Sequence, residues 1–515
     1  MLCMCVSVCP HPSSTPVYVC ARISEIDVDA LCRLPTRMGV VVTINDEDDG
    51  TACVLGAGVV DWISCVVSAS PAAKDVHVDV FNPYEATNLP TGSVRLQIRL
   101  HPRLGTDLSA TSAARSLASQ VASKTKLDVL RYVDVAKLWW RDYCSVRECH
   151  SHRRVSLMAK NEFRQRLPVC CFLRIQRPGR SLPSPRDAAR FVSLFHAVET
   201  QSNSASLVST SVTLAEDVWC TAPTIIARRA GTGEELAMLL CSLFLGFGLD
   251  AYVCIGLDGL GHRCAMVLTR PSSKKVVLWD PVSGKPYGGR EAGEGAMSVS
   301  VAPMTRVHCC FNTEYIFANQ QADDCVTSLS WSLDEQARWA SLHVSPLTRT
   351  VVGCDAVVLS PPASRDVAEV TEKSLEERLK RELFHERESV AQVSGRNVDI
   401  SMRWDERLSM LLMPALEAYE QEARSGVTFG NSEFQQSIKR STPVGHTFKG
   451  FPFHANHTDA RRLAASMLNE PACALILGTI KDGVRFALRC RVTCYPNDVL
   501  SVWVMLAVCY RGVDS

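Results

Sequence analysis

A cysteine nucleophile needs three things: a setting that stabilises the thiolate, an imidazole that takes and returns a proton, and a carboxylate that orients the ring. Three stretches of this chain have the order for that arrangement. Residues 231–252, GTGEELAMLLCSLFLGFGLDAY, open with a small Gly-Thr-Gly and run on into Leu, Ala, Met and Glu. The spacing predicts a buried helix whose start aims backbone N–H groups at Gly231 and Gly233 toward a ligand, and whose end is closed by Gly246 and Gly248. The stretches GHRCAMVLTR, with His262 and Cys264, and VVLWDPVSG, with Asp280, follow as strands. In this alignment the nucleophile position is Gly233, the base position is Cys264, and only Asp280 is of the type its role requires.

A hydrogen cannot attack a carbonyl, so ordinary cysteine chemistry is not expected here. Cys241 lies eight residues along the same helix, roughly 12 Å away at about 1.5 Å per residue, and reads as core. Cys264 and His262 stand two apart, as residues on one face of a strand with roughly 6–7 Å between their Cα atoms. They form the one improvised dyad the sequence offers, against the plainer reading of an exposed histidine beside a packed cysteine. Cys220 is the other thiol considered for a hydrolase or acyltransferase. Asp280 before proline also reads as a residue that fixes a turn.

Three further clusters carry ligand-type residues. Cys144, Cys149, His150 and His152 resemble zinc ligands in type, yet nothing pairs with them at the expected distance, and no metal site is expected. The acidic run Asp46 to Asp49 reads as a solvated hairpin tip and not as a calcium loop. Near the C-terminus, VGHTFKGFPFHANHTDARR gathers His446, Lys449, His454, His457, Arg461 and Arg462. The spacing fits no metal template; His446, Lys449, His454, Arg461 and Arg462 are expected to form an interaction loop. No cofactor is expected.

The elements that must hold these residues belong to several domains, since 515 residues are too many for one core. With 46% hydrophobic and 21% charged residues the chain is globular, and 55 basic against 54 acidic residues leave no net field for nucleic acid or an anionic membrane. The 23 cysteines are odd in number and sit in apolar runs such as PVCCFL, which suits reduced core thiols in the cytoplasm. The start, MLCMCVSVCPHP, lacks a cationic flank and does not read as a signal peptide. No apolar run approaches the roughly 20 residues that cross a bilayer. Overall the fold class expected is α+β multidomain. Residues 1–105 alternate as short strands of an antiparallel sandwich, and 106–150 form a connector of two helices anchored by Trp139 and Trp140. Residues 151–350 are α+β, 351–398 a charged linker with an exposed helix, and 399–515 a final α+β domain.

The order of glycine-opened helix, strand and Trp-Asp-Pro strand resembles the transglutaminase-like (papain-like) cysteine enzymes. Longer stretches, among them AKLWWRDYCSVR, LLCSLFLGFGL and VGHTFKGFPFH, resemble the centrosomal protein of 76 kDa family from about Val17 to the end. That resemblance implies a C2-like β-sandwich over 1–105, a transglutaminase-like peptidase-fold domain over 151–350 and a family-specific C-terminal domain. It implies a centriole or basal-body scaffold that limits centriole duplication to once per cell cycle, with centriolar or basal-body partners. The chain departs from animal members by starting close to the C2-like unit, and by filling neither the cysteine nor the histidine position. The expected reading is a pseudoenzyme whose cleft, at Gly231, Gly233, His262 and Asp280, binds a peptide such as a tubulin tail. Sparse basic residues between 17 and 101 speak for protein and not lipid contact by the sandwich.

Overall fold

The computed structural model describes residues 2–8, 17–23, 37–45, 52–61, 74–85, 89–98, 108–198, 217–272, 275–288, 297–298, 301–344, 357–393, 402–428, 432–479 and 483–511. The acidic run Asp46 to Asp49 lies outside these residues.

Six N-terminal strands pair antiparallel: β1 (Leu2–Val8) with β2 (Val17–Ile23), β3 (Arg37–Asn45) with β4 (Ala52–Asp61), and β5 (Lys74–Val80) with β6 (Gly92–Ile98). Paired backbone hydrogen bonds between Ala57 and Phe81, at 2.9 and 3.0 Å, tie the strand β4 to the end of β5. Alternate residues Val78, Val80, Val94 and Leu96 are buried, the period of a sheet with one covered face.

The connector is a single helix, α1 (Leu108–Val146), and not the expected pair. No proline or glycine interrupts it, so nothing breaks the backbone ladder. Its inward face buries Tyr132, Ala136 and Tyr143. Trp139 donates to Ser341 O at 3.1 Å and Tyr143 to Asn319 O at 2.7 Å, which seats the helix on the next domain. The ring of His150, a residue of the candidate zinc cluster, is stacked on Tyr143 and its Nδ1 lies 2.9 Å from Tyr143 O.

The central domain begins with β7 (Met158–Lys160), β8 (Arg166–Pro168), α2 (Pro185–Ser193), β9 (His196–Ala197), α3 (Ala222–Arg228) and β10 (Ala230–Gly231). The glycine-opened helix follows as α4 (Gly233–Gly246). Eight strands then form one sheet: β11 (Ala251–Asp258), β12 (Arg263–Ser272), β13 (Lys275–Trp279), β14 (Pro286–Gly288), β15 (Met297–Ser298), β16 (Met304–Phe311), β17 (Tyr315–Asn319) and β18 (Trp339–His343), in the order β15-β14-β13-β12-β11-β16-β17-β18. Strand alternation divides two cores. Val253, Ile255, Ala265 and Val267 face α4, whereas Tyr252, Cys254, Met266 and Leu268 pack on the other side with Cys264 beside them. Gly246 has a packing reason: a Cβ there would stand 1.8 Å from Gln176 O. Gly248 has φ +78°, the left-handed turn that ends the segment.

The stretch expected as a charged linker is instead a core element. Helix α5 (Arg365–Val393) buries Leu375, Leu379 and Leu383 completely, because leucines four apart make one apolar face inside an otherwise charged sequence. The C-terminal sheet is β19 (His446–Ala455), β20 (Arg485–Cys494) and β21 (Leu500–Arg511), in the order β19-β21-β20. Phe486, Leu488, Cys490 and Val492 with Val502, Val504, Leu506 and Val508 face α5, α9 (Ala460–Leu468) and α10 (Pro471–Leu477). The opposite residues Ala487, Met505, Ala507 and Cys509 meet α6 (Glu406–Leu411), α7 (Met413–Ser425) and α8 (Ser432–Ser441). The edge strand β20 is closed off: the N–H groups of Phe486, Leu488, Cys490 and Val492 donate to Arg403 O, Ser409 Oγ, Glu376 Oε1 and Glu372 Oε1.

Candidate functional site

At the mouth of α4, Thr232 and Glu235 make a capping box: Glu235 N donates to Thr232 Oγ1 at 3.3 Å and Thr232 N donates to Glu235 Oε2 at 2.9 Å. Gly231 is buried in β10, where its carbonyl accepts from Val198 N at 2.9 Å. Gly233 is half-buried and faces open space, with no atom within 4 Å of where a Cβ would stand. Its neighbour Glu234 is buried. Glu234 Oε1 lies 2.8 Å from Arg263 Nε, a close ionic contact whose direction is poor for a hydrogen bond. The same guanidinium donates to Asp217 Oδ1 at 2.7 Å and Ser156 Oγ at 3.2 Å, and lies 5.8 Å over the Trp219 ring. Arg263 has the strand parity of Ala265 and Val267 and, like them, faces α4.

Cys264 points the other way, into the core beneath the sheet. Burial pushes its thiol up to about 12, helped by the charges of Asp280, Asp258 and Glu234. The improvised dyad is not formed. His262 precedes β12 in the turn after β11, is exposed, and has Nδ1 3.4 Å from Asp258 Oδ2. A turn breaks the two-residue strand period on which the dyad rested. Asp280 fixes its own turn, accepting from Val282 N at 3.1 Å and from Ser283 N and Oγ at 3.3 and 2.5 Å.

Cys220 is buried against Glu235, whose Oε1 accepts from Cys220 N at 2.5 Å, and its thiol receives Arg228 Nη1 at 3.4 Å. Burial and the charges of Glu235 and Glu162 hold that thiol well above its ordinary range. Glu162 accepts from Thr221 and Thr224 hydroxyls at 2.5 and 2.6 Å.

Comparison with known proteins adds the context. Residues 217–342 match the CEP76 peptidase-like domain, and residues 365–511 match the centrosomal protein of 76 kDa C-terminal domain. The centrosomal protein of 76 kDa of Xenopus tropicalis is 30% identical over 482 residues, 92% of this chain and 70% of that protein. The chain belongs to the centrosomal protein of 76 kDa family. The Danio rerio member is 32% identical over 487 residues, with 92% and 70% covered. The Drosophila melanogaster coiled-coil and C2 domain-containing protein 2A is 21% identical over 296 residues, 57% of this chain and 20% of that protein. As a member of the centrosomal protein of 76 kDa family, the chain is a centrosomal protein with a peptidase-like domain. Among the described residues no helix is long and apolar enough to cross a membrane.

The expected interaction loop of this centrosomal protein of 76 kDa family chain is divided between a strand and a helix. His446, Lys449 and His454 lie on β19, and Arg461 and Arg462 begin α9, where Asp459 accepts from both of their N–H groups. HTFKGFPF is a strand with Phe448 on one face and Phe451 and Phe453 on the other, which the histidine count obscured. Lys449 is exposed, His446 Nδ1 lies 3.3 Å from Val444 O, and Arg461 Nε lies 3.7 Å from Glu382. His454 is drawn into a buried network between domains. Its Nε2 lies 2.9 Å from Arg190 Nη2 and 3.0 Å from Ser501 Oγ. Arg190 on α2 grips Glu420 on α7 through Nε and Nη2 at 3.1 and 2.8 Å. Tyr495, Ser501 and Trp503 also donate to Glu420 at 2.6 to 2.7 Å.

Burial alone would raise the Glu420 carboxyl, but Arg190, Ser501 and Tyr495 outweigh it and pull it down to about 2. Burial, with the Arg190 charge, brings His454 down to about 4. Sequence reading missed Asp217, Glu234 and Arg263 at the α4 mouth, and Arg190 and Glu420 between domains. The legible signal was a charged residue inside an otherwise apolar run, as in GEELAMLL and HRCAMVL.

Proposed function

We propose that this chain is a non-catalytic centriole or basal-body scaffold that limits centriole duplication to once per cell cycle, built from a C2-like β-sandwich, a transglutaminase-like pseudoenzyme domain and the C-terminal α+β domain. The observation that carries the non-catalytic reading is the α4 mouth. Gly233 stands there without a side chain, and a guanidinium locked to Glu234 and Asp217 faces the position where a base would be needed. A guanidinium cannot take a proton near neutral pH. The alternative, a cysteine hydrolase or acyltransferase using Cys264 or Cys220, meets thiols that burial keeps protonated.

The partners are centriolar or basal-body proteins. The cleft in this reading, at Gly231, Gly233, His262 and Asp280, receives a peptide such as a tubulin tail from one of these partners. The test is depletion of the endogenous protein, counting of centrioles through one cell cycle, and rescue. Excess centrioles restored to normal number by the Cys264→Ala and Cys220→Ala variants support the scaffold. A normal count after depletion removes the duplication role, and failure of a folded, correctly placed Cys264→Ala protein revives the enzyme.

A further inference from the structure

One exposed flank of α1 carries a two-fold-symmetric stripe. Leu127, Arg131, Val135, Leu138, Asp142 and Val146 are all exposed, and at 3.6 residues per turn they fall within an arc of about 100° running roughly 28 Å along the helix. The four apolar members are 53 to 57% exposed, in contrast to the buried Tyr132, Ala136 and Tyr143, which lie about 110° further round the helix. The outermost line carries the charged residues Asp134, Lys137 and Arg141, as surface helices ordinarily do. Beside it, the stripe sets apolar and charged residues in a self-complementary order.

We infer that this face docks against the same face of a second copy of the chain, with the two α1 helices antiparallel about an axis passing between Ala136 and Lys137. In that register Val135 meets Leu138 of the second copy and Arg131 meets Asp142, each contact occurring twice, with Leu127 and Val146 at the two edges of the seam. A two-fold interface requires this property, that residue i faces j and j faces i. No residue of the stripe is left facing a like charge or a charge against an apolar group. Arg131 and Asp142 are available: Arg131 is 80% exposed, and its acidic neighbour Asp128 is 3.7 Å away. The helix is rigid enough to present the stripe, because Trp139 and Tyr143 are hydrogen-bonded to β18 and β17 behind it. A single helix pair of this length falls below the roughly 1,200–2,000 Å² of a standard stable interface, so the dimer dissociates on dilution.

The experiment is sedimentation velocity of the full chain over a concentration series, with Arg131→Glu, Asp142→Arg and the double variant. Each reversal sets two like-charge contacts in place of two ion pairs and is expected to weaken dimerisation about tenfold or more, while the double variant recovers the wild-type midpoint. Leu138→Glu should abolish the dimer, and Leu260→Glu, at an exposed turn far from α1 in sequence, should leave it unchanged. Circular dichroism identical to wild type separates loss of docking from loss of fold. A wild-type chain that stays monomeric at every concentration overturns the inference, whether another protein covers the face or nothing does. A dimer indifferent to both single reversals, or not restored by the double variant, overturns it equally.

Discussion

Arg263 faces the start of α4 with its Nε 2.8 Å from Glu234 Oε1. Both side chains are largely buried, and Asp217 completes the cluster at 2.7 Å. Removing one member strands charges that have lost water. Arg263→Met is expected to destabilise the chain by about 3–5 kcal/mol, whereas Arg263→Met with Glu234→Met and Asp217→Leu costs much less. Denaturant midpoints of the two variants relative to wild type check this; equal losses would mean that packing and not charge pairing dominates.

The open space at Gly233 allows a side chain to be restored. Gly233→Cys should fold with stability within about 1 kcal/mol of wild type. At the first turn of a helix the new thiol should alkylate faster than Cys264, which sits at about 12. It should cleave no peptide, because Arg263 and not histidine faces it. Iodoacetamide labelling followed by peptide mapping, with a hydrolysis assay alongside, measures both.

The Arg190–Glu420 pair joins the central and C-terminal domains through a buried bidentate contact. Arg190→Met leaves Glu420 to its three neutral donors, and a loss of about 3–5 kcal/mol is expected. The carboxyl should then titrate higher than about 2. In wild type Glu420 is depressed on folding, so its stabilisation is present above the ordinary carboxylate value and fades as pH falls toward about 2. Acid unfolding of the Arg190→Met protein should begin at higher pH.

His454 supplies a second pH window. Its folded value of about 4 lies below the free-histidine value of 6.5, so between them the unfolded chain binds a proton that the folded chain refuses. Stability therefore falls as pH drops from about 6.5 to about 4. His308, also held near 4 by burial, contributes in the same direction. His454→Gln should flatten part of this slope and leave the remainder to His308 and to His457, which burial also lowers; a slope unchanged by the substitution would place the titration elsewhere.

Helix α5 makes the C-terminal unit begin earlier than its charge pattern suggests. A fragment of residues 365–511 should unfold cooperatively, whereas one beginning at 399 lacks Leu375, Leu379 and Leu383 and the two carboxylates that close β20. Leu379→Ala in the full chain should cost about 2–5 kcal/mol. Thermal unfolding followed by circular dichroism compares them.

Much of this architecture was legible from local pattern. Alternation in VHVDV, VRLQI and SVWVMLAV marks strands, and GTGEELAMLLCSLF marks a buried, glycine-opened helix, because periodicity and capping act within a few residues. That this helix opens on Gly233, a residue without a side chain, was legible as well. Facing was not. Whether Cys264 or Arg263 meets α4 depends on where the turn ends and β12 begins, and a slip of one residue reverses every side chain. The sequence could not show that α5 is core, since its buried leucines are diluted by charges whose partners lie on β20. Nor could it show that His454 serves a domain junction, because Arg190, Glu420 and Ser501 are separated by hundreds of residues and meet only when the domains pack. Local chemistry is written in neighbours along the chain; pairing of buried charge is decided by what the fold brings within about 3 Å.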